Sequence, residues 1–161
     1  MTRAPDEAAE SATAVSRRAG GRVRLAARLA LGAFLLAAGF SHLTNNREAF
    51  LAQVPEWLPL EGDFVVVASG IVEMVLGLAL LVLHRWRVPV GFVVAAFFVA
   101  IFPGNISQFV TETDSFGLDS QLARGMRLVF QPLLVLWALW STGAWQAWRV
   151  WRVRRARQAA K

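Results

Sequence analysis

The sequence predicts an all-α fold: a four-transmembrane-helix bundle with a short amphipathic interfacial helix between helices 1 and 2. Three observations predict it. The 161 residues are 56% hydrophobic and only 17% charged, too little charge to coat a soluble domain of this size. The apolar residues gather into four runs, Leu25–Ser41, Phe64–Leu83, Val88–Phe102 and Leu128–Ala144. The segments separating these runs are alternately basic and acidic.

A bilayer core of about 30 Å needs about 20 helical residues. The first two runs fit directly. The third fits if it continues through Pro103 to Gln108, and the fourth if it runs from Arg124 to Trp148. The expected spans are therefore 24–43, 64–83, 88–108 and 124–148, within a membrane domain of residues 22–148. Residues 1–21 read as a disordered basic tail, and residues 149–161 as a second basic tail.

The net charge of +6 does not point to nucleic acid, because its placement is that of a membrane protein. Arg3, Arg17, Arg18, Arg22, Arg24 and Arg28 precede or enter the first run. Arg85 and Arg87 separate the second from the third. Arg149, Arg152, Arg154, Arg155, Arg157 and Lys161 follow the fourth. The other two connections carry Arg47, Arg124 and Arg127 against seven acids, from Glu48 to Asp119. The positive-inside rule places both termini in the cytoplasm. Arginine outnumbers lysine 16 to 1, a GC-rich coding bias that fits a bacterial cytoplasmic (inner) membrane. Ser16-Arg17-Arg18 before an apolar run has the look of a twin-arginine export signal. The run is long and feeds a four-span pattern, so an uncleaved first helix is expected.

After the first span, Asn46–Val54 places Phe50, Leu51 and Val54 on one side, as an interfacial amphipathic helix would. Pro55 and Pro59 end it, and Trp57 belongs at headgroup level. The third span opens with Pro89 in its first turn, where the missing N–H costs little. Pro103-Gly104 should bend its outer end and free the Val99 carbonyl. Asp119 or Ser120 is the expected cap of the fourth span. Trp145 and Trp148 are expected as interfacial anchors at its inner end.

One carboxylate stands in the middle of the second span. A charge at that depth costs at least ~2.5–3.5 kcal/mol, so Glu73 must face protein or water. Ser69, Gly70, Glu73 and Gly77 share one helix face, and small residues at that spacing allow close helix approach. Gly32, Leu35, Gly39 and His42 share a face of the first span. Gly91, Ala95, Phe98, Phe102 and Asn105 do so on the third, and Arg127, Gln131, Leu134, Ala138 and Ser141 on the fourth. Each span thus brings a polar residue on a face with small ones. At 1.5 Å per residue, Glu73 lies roughly 15 Å below the outer surface and Gln131 about 10 Å. The cluster His42, Glu73, Asn105, Arg127 and Gln131 should therefore line a pocket opening outward. Arg127 is the expected partner of Glu73, since a guanidinium pairs bidentately with a carboxylate. Such a pair either locks the helices in register or belongs to a site that binds a polar head or relays a proton. With no cysteine, thiol chemistry and thiolate-bound metals are excluded. His42 and His84 lie a membrane apart and cannot share a haem. No metal site is expected.

Five segments carry a resemblance: Gly39-Phe40-Ser41-His42-Leu43, Val54-Pro55-Glu56-Trp57-Leu58-Pro59, Ser69-Gly70-Ile71-Val72-Glu73, Phe102-Pro103-Gly104-Asn105-Ile106 and Arg127-Leu128-Val129-Phe130-Gln131. In this order and spacing, from Leu25 to Trp140, the chain resembles the DoxX-like family of small four-helix membrane proteins. Gly104 and Val129 depart from the usual alanine and proline. The resemblance implies the fold and a loose association with redox chemistry near quinones. The expectation is an accessory or ligand-binding protein for a quinone or lipid-like molecule, with the lipid bilayer as its surroundings. The alternatives are a membrane subunit of a quinone-linked oxidoreductase complex with a redox partner, or a small transporter acting as a homo-oligomer.

Overall fold

A computed structural model describes residues 4–51, 53–112 and 120–159, and all regular structure among them is helical. The elements are α1 (Ala4–Leu43), α2 (Arg47–Leu51), α3 (Gly62–Val82), α4 (Arg87–Val110), α5 (Gln121–Thr142) and α6 (Ala144–Ala159), with a 3-10 turn His84–Trp86 before α4. Three segments are long and apolar enough to cross a membrane: Ala19–Leu43, Gly62–Val82 and His84–Val110. A fourth is added if α5 and α6 count as one broken span.

Two boundaries differ from the sequence expectation. Helix α1 reaches back to Ala4, where residues 1–21 read as a disordered tail. The stretch after Pro5 is rich in alanine and free of further proline, so its local propensity favours helix. The helix expected to run unbroken to Trp148 is interrupted after Thr142. Gly143 has φ +80°, a left-handed value that ends helices, and the chain turns by 76° into α6. The expected cap Asp119 lies outside the described residues.

A Cβ built on Gly143 meets only the Gln146 Oε1, at 3.7 Å, so its replacement is a conformational problem and not a steric one. Gly143→Ala is expected to cost about 1–2 kcal/mol, read as a lowered melting temperature of the solubilised protein.

Helix α1 lies along α3 and also against α5, while α4 packs on α5. The α1–α3 contact is built on glycine. A Cβ on Gly77 would stand 2.7 Å from the Gly32 carbonyl oxygen, and one on Gly39 would stand 2.5 Å from that of Gly70. Two glycine pairs, two turns apart on each helix, thus let the backbones touch. The core is formed by Leu31 and Leu35 from α1, Leu76 and Leu80 from α3, Val94, Ala95 and Phe98 from α4, and Ala138 from α5.

Exposure runs opposite to that of a water-soluble protein. Phe34, Ile71, Val75, Val93, Val99, Leu133 and Leu136 are exposed, while Arg28, His42, Glu73, Asn105, Gln108 and Gln131 are buried. An apolar patch of that extent marks a surface that meets something other than water. With three or four helices long enough to span, this is the pattern of a multi-pass membrane protein.

Candidate functional site

The packing leaves a cavity of about 670 Å3, lined by residues from α1 to α5. All five residues singled out from the sequence, His42, Glu73, Asn105, Arg127 and Gln131, line it. Gln53, Val54, Pro55, Trp57 and Leu58, between α2 and α3, contribute to the same wall. Leu35, Ala38, Phe98, Ile101 and Leu134 line it with apolar surface. Phe34 and Phe130 also line it and are largely exposed, so the cavity reaches the flank of the molecule.

The polar groups form two sets. In the first, the His42 Nδ1 lies 3.3 Å from the Val66 carbonyl oxygen and 3.1 Å from the Ser69 Oγ. Ser69 donates its own hydroxyl to the same carbonyl, at 3.0 Å. A carbonyl can only accept, so assigning the proton to Nδ1 satisfies these contacts and turns the opposite nitrogen toward Glu73. That nitrogen, Nε2, is 3.6 Å from the Glu73 Oε2. Imidazole and carboxyl are therefore placed to share one proton. The Oε2 is buried and has no hydrogen-bond partner among the described residues. Phe50 of α2 covers the imidazole, with ring centroids 3.4 Å apart, which explains why α2 folds down onto α1 and α3.

In the second set, Asn105 donates to the Gln131 Oε1 at 3.0 Å, and Gln131 donates to the Phe98 carbonyl at 2.6 Å. The carbonyl that Gln131 reaches is that of Phe98, one residue before the Val99 carbonyl that Pro103 is expected to free. Arg127 donates to the Gln53 Oε1 at 2.8 Å and the Gln108 Oε1 at 3.3 Å. It thereby ties α5 to α4 and to the connection after α2.

This corrects one expectation. Arg127 is not the direct partner of Glu73; the guanidinium bonds two glutamines, and the group nearest the carboxylate is His42. Arg127 acts on Glu73 only through space. Helix rotation decides this, because α1 and α3 are held so close by their glycines that His42 reaches Glu73 first. Sequence reading also missed Gln53, Ser69 as a partner of His42, and Gln108. Gln108 follows Asn105 by one helical turn, a spacing that could have found it. Gln53 gave no such signal, because its contact lies 74 residues away in the chain. Among the described residues, no group of three His, Cys, Asp or Glu side chains converges as a metal site would.

The fold and cavity define a class: an all-helical, multi-pass protein with a part-polar cavity between its apolar helices. Residues 29–142 match the family model described as a domain of unknown function, DUF8561, and the chain belongs to that family. The matched region contains all five cluster residues and ends at the α5–α6 break. The comparisons with curated proteins and with solved structures gave no match.

Proposed function

We propose that this chain is a DoxX-like integral protein of the bacterial cytoplasmic membrane, a four-helix bundle with both termini inside and α2 at the outer interface. Its cavity binds the polar head of a small amphiphile, a quinone or lipid-like molecule, and the protein serves as an accessory or ligand-binding component. The carrying observation is the convergence of His42, Glu73, Asn105, Arg127 and Gln131 on one cavity whose remaining walls are mainly apolar. Cavities of roughly 300–1,000 Å3 with a few convergent polar groups are the usual size and character of small-molecule sites. The exposed Phe34 and Phe130 give a route from lipid for an apolar chain.

A second reading, the membrane subunit of a quinone-linked oxidoreductase, is favoured by one feature. The His42–Glu73 pair is built to hold or release a proton beside a bound head. Electrons would then come from a partner chain. Nothing comparable favours a transporter.

Binding is tested by titrating the purified protein with a short-chain quinone and following tryptophan fluorescence. Trp57 and Trp137 line the cavity, so saturable quenching is expected, and it should be lost in Gln131→Ala. Quenching that grows linearly with quinone and is equal in both proteins would reject the site.

Orientation has its own test. The chain has no cysteine, so single thiols report cleanly. Cysteine at Glu56, which is exposed, should react with an impermeant maleimide in intact cells. Cysteine at Ala159 should react only after lysis. The reverse pattern would invert the proposed topology.

A further inference from the structure

We propose a second site at the opposite end of the molecule, which binds a phosphate group through Arg28, with Ser141 and Arg87 on the nearby turns of α5 and α4. Arg28 is only 3% exposed, and its Nε and Nη1 are buried without a hydrogen-bond partner. No carboxylate pairs with it among the described residues. Its electrostatic neighbour is another cation, Arg87. Ser141 adds a hydroxyl that is likewise buried and unpartnered.

The register of the helices brings these groups together. Trp137 donates to the carbonyl of Ala27, next to Arg28, at 3.0 Å. The Arg24 guanidinium lies 6.0 Å from the Trp140 ring. The α1 segment 24–28 therefore runs beside the end of α5, where Ser141 lies one turn beyond Trp137. Gly91 of α4 abuts Thr142, the next residue on α5, and Arg87 lies one turn before Gly91. None of these three residues lines the cavity that holds Glu73, so the site is separate from it and does not depend on its ligand.

A buried guanidinium with unsatisfied donors is unfavourable by itself. The positive charge of Arg87 adds repulsion, unless an anion supplies both counter-charge and acceptors. Two guanidiniums and a hydroxyl match the oxygens of a phosphate, which arginine binds through several charge-assisted hydrogen bonds. The surroundings suit such a ligand. On α6, Arg152 lies 4.8 Å from the Trp148 ring and Arg155 4.5 Å from that of Trp151, giving this end an aromatic and basic rim. The phosphate comes either from a phospholipid headgroup or from free inorganic phosphate.

Native mass spectrometry of the full chain in detergent, with phosphatidylglycerol or a phosphate-free glycolipid added, tests the lipid arm. Calorimetry with inorganic phosphate tests the other. We expect one retained phosphatidylglycerol per chain, or saturable phosphate binding, weakened about ten-fold or more in Arg28→Gln and Arg87→Ala. Arg47→Ala, at the other end, should bind as the wild type does. If Arg28→Gln fails to fold, Arg28→Lys, which keeps the charge but not the fork, is expected to show the same loss. Retention of phosphatidylglycerol assigns a headgroup site, and binding of phosphate alone assigns a free-phosphate site. Equal binding in all variants, equal retention of the glycolipid, or no binding by the wild type would overturn the proposal.

Discussion

Gly39→Leu and Gly77→Leu are each expected to abolish the folded protein. The Cβ of either would press on backbone as well as on the Met74 or Leu36 side chain. At Gly39 it meets the Gly70 oxygen at 2.5 Å and the Met74 nitrogen at 2.9 Å, and at Gly77 the Gly32 oxygen at 2.7 Å and the Leu36 nitrogen at 2.9 Å. Overpacking a core typically costs ~1–3 kcal/mol when side chains can adjust; here the helices themselves must part, so each cost should exceed that range. Separation would also pull His42 away from Glu73. The measurement is size-exclusion profile and thermal melting in detergent. Gly20→Leu is the control, because nothing lies within 4 Å of a Cβ there, and it should behave as the wild type. Normal melting of Gly77→Leu would mean that α1 and α3 do not meet on their glycines.

Glu73 and His42 should be coupled, and the coupling should appear in stability. Glu73 is 6% exposed, and the His42 nitrogen facing it is its closest titratable neighbour. His42→Ala removes that partner, the bonds to Val66 and Ser69, and the stack with Phe50. A cost of about 3–5 kcal/mol is expected where one member of a buried pair is deleted. Glu73→Leu should be far milder and even stabilising, since an apolar side chain needs no partner in that place. In a double-mutant cycle the two should interact by about 0.5–3 kcal/mol, whereas Glu73 with Arg127 should be closer to additive. A strong Glu73–Arg127 coupling with none to His42 would mean that the guanidinium, and not the imidazole, meets the carboxylate. A Glu73→Leu protein that melts at or above the wild-type temperature yet binds no ligand would show that the carboxylate is retained for function at the expense of stability.

Much of this arrangement was legible in the sequence, for a physical reason. A charge inside an apolar run has few places to go, so small residues sharing a face with Glu73 marked its inward side. The same logic placed His42, Asn105, Arg127 and Gln131 on inward faces, and all four line the cavity with it. Which of them touch was not legible. Pairing depends on helix rotation and on how closely two helices approach, and a helical wheel contains neither. Gly32, Gly39, Gly70 and Gly77 were each seen as small residues, but their pairing across α1 and α3 is a property of two helices together. The break at Gly143 was hidden because the tryptophans that follow it read equally well as the inner end of a span or as an interfacial helix. In the sequence Arg28 belongs with the arginines that precede or enter the first run. Its burial emerges only from the packing of α1 against α5.

The proposed function requires that the cavity between the helices hold the head of an amphiphile by means of its five polar residues. The direct measurement is native mass spectrometry of the protein released gently from its own membranes, with quinone and lipid extracts of those membranes as standards. The wild type should carry one quinone or lipid-like molecule per chain, and the triple variant Glu73→Ala, Asn105→Ala, Gln131→Ala should lose it while remaining folded. A triple variant that keeps the same molecule at the same occupancy would mean that these residues do not hold it.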